Sequence, residues 1–362
     1  MNIFLSFTIS KSKVPRQFLA LCDELTSRGH KVTVISWKTQ DVPNVNVKTV
    51  DFPSRRPTKL KDLVFLLKLI KKERPDLLIA NFGSVNLMLL AGFFMGVPVR
   101  VAWYRTLSEA LRHDWRGSNL AFFLLKVRKR LVYKLATHFV ANSKAALLDL
   151  SKTFAVPLKK IVVFHNAAFD IMEHTNKREL KGEKKIVFVG RLYPTKGVDV
   201  LIRALDIIVA RNKSYSLIII GDGPLKSKLE SLSNRLGLSQ KCTFIGAVPN
   251  DKVVDYFKSA DVAVVPSRNE AFGIVAIEAL MVGTPVVASR VGGLVEIVRN
   301  GIDGFLVEPD SPKALAKGVL SVFEDEAKYY QMCQNARQRF LDKFEVSRVV
   351  QKQADWIESL EL

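Results

Sequence analysis

Short apolar runs rich in valine and isoleucine recur along the whole chain, separated by longer stretches of helical periodicity. This alternation constrains the fold more than any other feature. In the first half the runs are Asn2–Thr8, Lys31–Ser36, Asp76–Asn81, Val99–Trp103, Thr137–Ala141 and Ile161–Phe164. In the second half they are Lys185–Val189, Ser216–Gly221, Cys242–Ile245, Asp261–Pro266, Pro285–Ala288 and Phe305–Val307. A strand without polar alternation is buried on both faces, which is the condition of a parallel sheet. Parallel neighbours need a crossover, and helices such as Pro15–Arg28 and Val198–Val209 supply it. At 362 residues the chain is long enough for two such α/β domains with doubly wound parallel sheets. The polar stretch Asp170–Gly182 reads as the linker, which puts one domain at 1–170 and the other at 183–344.

Charge divides at the same place. The chain carries a net +20, but residues 1–180 hold 30 Lys and Arg against 13 Asp and Glu, a net of +17. The first half is therefore expected to meet something anionic: a membrane surface, an acidic acceptor or nucleic acid. Two basic amphipathic segments, Arg56–Lys72 and Leu120–Lys134, mix apolar bulk with clustered cations. Each alone reads as a helix packed on its own sheet with a solvated basic edge. Together with the domain's charge they point to contact with an anionic membrane. No nucleic-acid reading motif or interleaved aromatic platform accompanies the charge, so nucleic acid is not the expected partner.

Three cysteines, Cys22, Cys242 and Cys333, are odd in number and far apart, as in a reducing compartment without a disulfide framework. The first residues, Met1–Ser10, read as a strand rather than a signal peptide. The longest apolar stretch, Val85–Val99, is interrupted by Asn86 and is shorter than the roughly 20 residues that span a bilayer. A cytoplasmic location, peripheral on the inner face of the plasma membrane, is expected.

The chemistry concentrates in four strand-end loops of the second half. The run Glu270-Ala271-Phe272-Gly273-Ile274-Val-Ala-Ile-Glu278 sets one carboxylate before a helix, read as Ile274–Met281, and another inside it. Ligands of open α/β sheets sit at the carboxyl ends of strands. Helix N-termini offer N–H groups to phosphates, and carboxylates accept hydrogen bonds from hydroxyls. A ligand with central phosphates and hydroxyl-rich rings, such as a sugar nucleotide, matches that layout. Gly190-Arg191-Leu-Tyr-Pro-Thr-Lys196-Gly197 adds a guanidinium fork and a mobile ammonium for one anion. Gly221-Asp-Gly223-Pro224 and Gly292-Gly293-Leu-Val-Glu296 are two further glycine turns. The plain alternatives are an exposed helix residue for Glu278, a helix-capping carboxylate for Glu270, and a solvated surface pair for Arg191 and Lys196. Gly292-Gly293 either brings backbone to a phosphate or forms a turn. Glu296 either meets ligand or caps a helix.

The ordered set "VGRLYPTKG", "IIIGDGP", "PSRNEAFGIVAIEAL" and "GTPVVASRVGGLVEIV" resembles the donor half of glycosyltransferase family 4. The match is specific over about residues 184–310 and weaker elsewhere. The resemblance implies the GT-B fold: two Rossmann-like domains facing a cleft, with a C-terminal helix at about 345–362 packing back on the first. It implies a retaining transfer from a nucleotide-diphosphate sugar, a UDP-sugar ahead of a GDP-sugar, without a metal. Lys196 and Arg191 would neutralise the leaving diphosphate, and Glu270 would hold the transferred sugar. Glu278 would bind the ribose, and Gly190, Gly221, Ala271, Phe272, Gly273 and Ile274 would line the donor site. The N-terminal domain would bind the acceptor. The basic helices favour a lipid-linked saccharide, as in building bacterial surface polysaccharide, over a soluble one.

The chain departs from the family pattern in three places. The glycine pair usual after the first strand is replaced by Ser10-Lys11-Ser12-Lys13, where Lys11 or Lys13 would supply a cation. The family histidine after the fourth strand is absent; Tyr104 or Arg105 stands in that slot, with His113 in the following loop. Asn166 matches the asparagine before the linker, but Ala167 replaces the usual glycine. A sugar-nucleotide epimerase of related fold is the rival enzyme reading; it would need no acceptor and no basic face.

Overall fold

The computed structural model describes residues 1–10, 12–37, 47–55, 59–109, 118–172, 180 and 182–361. They form two compact units, Met1–Phe169 with Val346–Leu362, and Asp170–Glu345.

The first unit is built on a seven-stranded sheet in the order β3-β2-β1-β4-β5-β6-β7. Its strands are β1 (Asn2–Ser6), β2 (Lys31–Ser36), β3 (Lys48–Asp51), β4 (Leu77–Ala80), β5 (Val99–Tyr104), β6 (His138–Ala141) and β7 (Ile161–Val163). All pairings are parallel, with Ile3 opposite Val32 on one side and Leu77 on the other. Ile3, Phe4 and Leu5 are all fully buried, as expected for a central strand covered on both faces. The chain winds outward from β1 to β3 and then crosses to β4, so the topological switch point lies between β1 and β4.

Six of these seven strands coincide with runs legible in the sequence. The seventh, β3, reads Lys-Thr-Val-Asp and is mostly exposed; an edge strand with one apolar residue leaves no hydrophobic run. The apolar stretch at Val85–Val99 resolves into a helix, Val85–Phe94, buried over most of its length but exposed at its end, a turn, and the start of β5. In the first basic segment the helix Leu60–Glu73 buries Leu66 and Ile70 and leaves its lysines outward. Arg56, Pro57 and Thr58 lie outside the described residues.

The helix Lys13–Ser27 lays Phe18, Leu21, Cys22 and Leu25 against this sheet. Phe18 meets Trp103 edge-on at 5.0 Å. The C-terminal helix Val346–Glu358 packs on it through Val349, Val350, Ala354 and Ile357, a stripe at helical spacing. Arg28 joins the two helices, bonding Glu24, Asp355 and Glu358. The preceding helix, Glu326–Lys343, ends at the fully buried Phe344.

The second unit holds a six-stranded parallel sheet, order β10-β9-β8-β11-β12-β13. Its strands are β8 (Lys184–Val189), β9 (Tyr215–Ile220), β10 (Cys242–Gly246), β11 (Val262–Val265), β12 (Val286–Ser289) and β13 (Gly304–Val307). All six match runs seen in the sequence. The switch point here lies between β8 and β11, whose following loops carry Arg191 and Lys196, and Arg268 and Glu270. The core joins Ile186, Phe188, Leu217 and Val264 of the sheet to Leu201, Leu205 and Ile208 of the helix Val198–Arg211.

Candidate functional site

The loops following β8 and β11 meet at the second unit's switch point. Lys196, in the 3-10 turn Pro194–Lys196 after β8, places Nζ 2.6 Å from Oε2 of Glu270, in the loop after β11. Both side chains are mostly buried, so the pair is less screened than a surface pair. An ammonium has three donors; Glu270 takes one, and two remain for an anion. Ser267, itself buried, has its hydroxyl 3.5 Å from the same carboxylate oxygen.

Arg268 locks the two loops together, a role its place in the motif does not reveal. Its guanidinium donates to both carboxylate oxygens of Asp199 at 2.9 and 2.8 Å, to Asp310 at 2.5 Å and to the Pro194 carbonyl at 2.6 Å. Its backbone N–H donates to the Thr195 carbonyl at 2.9 Å. The hydrogen bond to Asp199 raises the guanidinium's pKa further. The bidentate fork fixes orientation as well as distance. Its carboxylate partners stand 69 and 42 residues away, so spacing alone gives no signal.

Two glycine contacts bring the remaining loops in. Gly221 has φ +136, and a Cβ there would stand 1.8 Å from the Gly190 carbonyl oxygen. Gly292 has φ +51, and a Cβ there would stand 1.7 Å from the Glu270 carbonyl oxygen. Only glycine accommodates both the conformation and the approach. Gly292 thus acts as a spacer that sets the height of the Glu270 loop. Gly293 fastens it, its N–H donating to the same Glu270 carbonyl at 3.1 Å. Arg191 is exposed and lies over the Tyr193 ring at 5.0 Å.

Gly273 opens the helix Ile274–Met281, whose first N–H groups lack intrahelical acceptors and carry the positive end of its dipole. Ala271 is half-buried and Phe272 fully buried; the Phe272 ring packs on Phe344 at 6.0 Å. Glu278, in the second turn, is 4% exposed, so it is not an exposed helix residue. Glu296 sits in the first turn of the short helix Leu294–Ile297 and its carbonyl accepts from Arg339 at 2.8 Å.

The other candidates belong to the first unit. Tyr104 turns its hydroxyl to Asp149, and burial followed by that bond pushes the phenol's pKa up. Arg105 donates to the side-chain oxygen of Asn166, which is buried. Lys13 begins the helix Lys13–Ser27. Lys11 and His113 lie outside the described residues. Among the described residues no three His, Cys, Asp or Glu side chains converge as a metal-ligand set.

Twin doubly wound sheets, the second with a cationic and acidic cluster at its switch point, are the architecture of the GT-B fold, and the comparisons identify a glycosyltransferase. The chain belongs to glycosyltransferase family 4. Its residues 14–168 match the model "Glycosyltransferase Family 4" and residues 170–339 the model "Glycosyl transferases group 1". It is 38% identical over 346 residues to the uncharacterized glycosyltransferase MJ1607 of Methanocaldococcus jannaschii, covering 90% of this chain and 88% of that one. In fold it is similar to Anabaena Alr3699/HepE, solved with UDP, with a TM-score of 0.81 at 21% identity over 99% of this chain and 100% of that one. A further structure of HepE contains UDP-glucose. It is also similar to WaaG, a glycosyltransferase involved in lipopolysaccharide biosynthesis, with a TM-score of 0.74 at 18% identity over 99% and 100% of the two chains. The family match favours the transferase over the epimerase reading.

Proposed function

We propose that the chain transfers a sugar from a UDP-sugar, with retention of anomeric configuration, to a lipid-linked saccharide at an anionic membrane surface. The observation that carries this reading is the Lys196–Glu270 pair across the switch point between β8 and β11. The UDP and UDP-glucose bound to HepE support UDP as the nucleotide, and the involvement of WaaG in lipopolysaccharide biosynthesis supports a glycolipid acceptor.

In this reading the second unit holds the donor. Glu278 accepts from the ribose hydroxyls, and the backbone from Ala271 to Ile274 meets the sugar and distal phosphate at the helix N-terminus. Gly190 and Gly221 line the nucleotide. In the transfer the bond from the anomeric carbon to the phosphate oxygen breaks, and a bond to the acceptor oxygen forms on the same face. Charge develops on the departing diphosphate, where Lys196 and Arg191 stabilise it most. The acceptor's proton passes to that diphosphate. Glu270 positions the sugar and balances the developing positive charge.

The first unit holds the acceptor. Its helix Asn119–Tyr133 buries only Phe122, Val132 and Tyr133. It exposes Leu120, Phe123, Leu124 and Leu131 beside Lys126, Arg128 and Arg130. The helix Val85–Phe94 packs against it and ends in Phe93 and Phe94, the latter 68% exposed. An apolar patch with interspersed cations suits an anionic bilayer surface. No helix among the described residues is long and apolar enough to cross a membrane. That patch supports a peripheral placement, which we assign to the inner face of the plasma membrane.

The test is incubation with UDP-sugars and GDP-sugars over vesicles carrying lipid-linked saccharide, with the product's anomeric configuration read by NMR. Acceptor-dependent UDP release with retained configuration supports the proposal. Inversion, or release indifferent to the lipid acceptor, overturns it.

A further inference from the structure

A second concentration of charge lies wholly within the first unit, at the carboxyl ends of β4 and β5. A cavity of about 340 Å³ opens there. Three cations line it: Arg105 from the end of β5, and Arg128 and Lys129 from the helix Asn119–Tyr133. Among the described residues no carboxylate lines it and none of the three forms an ion pair. Asp149, which partly offsets the charge of Lys129, is engaged by the Tyr104 hydroxyl, the Ser108 N–H at 2.7 Å and the Thr153 hydroxyl at 3.0 Å.

Arg105 is the most constrained of the three. It bonds Asn166 through Nη2, and the rings of Phe18 and Phe82 flank it at 5.4 and 6.0 Å. Its Nη1 is buried with no acceptor among the described residues. Burial pushes its pKa down to about 9, so at neutral pH it carries a charge that no ion pair among the described residues compensates. Lys129 is pushed down too, by burial and then by Arg128. Asn81, 1% exposed, lines the same cavity; its Oδ1 accepts from the Phe82 N–H, and its Nδ2 has no partner. Phe82 stands beside it with φ +52, a conformation disfavoured for an aromatic residue and characteristic of sites that hold a ligand. Buried donors and like charges gathered without an acceptor are unfavourable unless an anion joins them.

We propose that this cavity binds a phosphoryl group carried by the acceptor, with the guanidiniums of Arg105 and Arg128, the Lys129 ammonium and the Asn81 amide as its donors. The inference rests on the reading that the first unit holds the acceptor. A guanidinium fork and an ammonium are the side chains that fit phosphate oxygens. The volume is that of a small-ligand pocket, room for a phosphate and the group attached to it. The phosphate belongs either to a soluble phosphorylated sugar or to a lipid phosphate. Because Arg128 and Lys129 sit on the helix that carries the exposed apolar residues, both sources reach the same donors.

The experiment is calorimetric titration of the UDP-saturated protein with inorganic phosphate and, separately, with a short-chain alkyl phosphate below its micellar concentration. It is run on the natural chain, on Arg105→Gln, on the helix double variant Arg128→Gln/Lys129→Gln, and on Lys71→Gln/Lys72→Gln as a control that matches the double variant's charge change. Both cavity variants are expected to weaken phosphate binding tenfold or more, and the control to leave it unchanged. The double variant alters one exposed and one half-buried helix position and keeps the test valid if Arg105→Gln fails to fold. Alkyl phosphate binding tenfold tighter than phosphate assigns the lipid source, and equal binding the soluble one. Phosphate binding that is absent, or indifferent to the cavity variants, in protein that still binds UDP overturns the proposal. Loss of UDP binding with cavity-dependent phosphate binding intact would instead count against the donor site alone.

Discussion

Replacing Gly292 by alanine separates backbone strain from site geometry, because Gly301 provides a matched control. Both glycines lie in the left-handed region, at φ +51 and +77, where alanine costs roughly 1–2 kcal/mol. At Gly301, before the start of β13, the added Cβ meets nothing within 4 Å. At Gly292 it would stand 1.7 Å from the Glu270 carbonyl oxygen, where ordinary contact begins at 3.4 Å. The Glu270 loop must therefore retreat by about 1.7 Å, taking with it the carboxylate that holds Lys196. A misplacement of about 1 Å costs on the order of 100-fold in a positioned site. The control is expected to lower Tm by about 2–8 °C, given roughly 2–4 °C per kcal/mol for a unit of this size, and to bind UDP as the natural chain does. Gly292→Ala is expected to lower Tm further and to cut transfer by about 100-fold. Thermal unfolding and initial-rate kinetics on the two variants measure both quantities. Equal transfer rates in Gly292→Ala and Gly301→Ala would refute the spacer role.

Three other outcomes follow from particular contacts. Arg268→Lys gives up the fork to Asp199; losing charge-assisted bonds of about 1.5–3 kcal/mol should lower Tm and raise KM for the donor, and an unchanged KM would show that the clamp does not position the site. Hydrogen bonds from Lys48 and then Lys31 hold the Glu73 carboxyl at about 2, below its ordinary 4.5. A depressed carboxyl pKa stabilises the fold above the unfolded value and ceases to as pH falls through the folded one. The Tm difference between the natural chain and Glu73→Gln should therefore be full above about pH 4.5 and vanish toward pH 2; a constant difference would sink the assignment. Burial pushes the Cys22 thiol up strongly, and the Cys242 thiol up to about 11. Iodoacetamide at pH 8 should modify the part-exposed Cys333 first, and mass spectrometry showing early labelling of Cys22 would contradict the packing.

Legibility in the sequence follows the physics of each element. Parallel strands such as Val262–Val265 are buried on both faces, so their apolar runs announce them. The edge strand Lys48–Asp51 buries nothing that would mark it. The loops after β8 and β11 are readable because charge and glycine recur at the ends of those runs, and Lys196 and Glu270 do meet. Arg268 is visible in the motif but its clamp is not, since Asp199 and Asp310 arrive from other segments. The same holds for the cationic cavity, whose Asn81, Arg105 and Arg128 come from three separate elements. In the sequence Arg105 stands out only as a replacement for a missing histidine. Its burial, its bond to Asn166 and its unpartnered Nη1 depend on contacts 61 residues apart and more. Tyr104, named with it, faces inward to Asp149 instead.

The central claim is that the loops after β8 and β11 hold a nucleoside diphosphate sugar. The most direct measurement is metal-free calorimetric titration with UDP, GDP and ADP, on the natural chain and on Lys196→Ala. UDP is expected to bind with a Kd between roughly 1 μM and 1 mM, the usual range for enzyme substrates, weakened tenfold or more in the variant. A folded protein that binds none of the three nucleotides, or a variant that binds UDP undiminished, would contradict it.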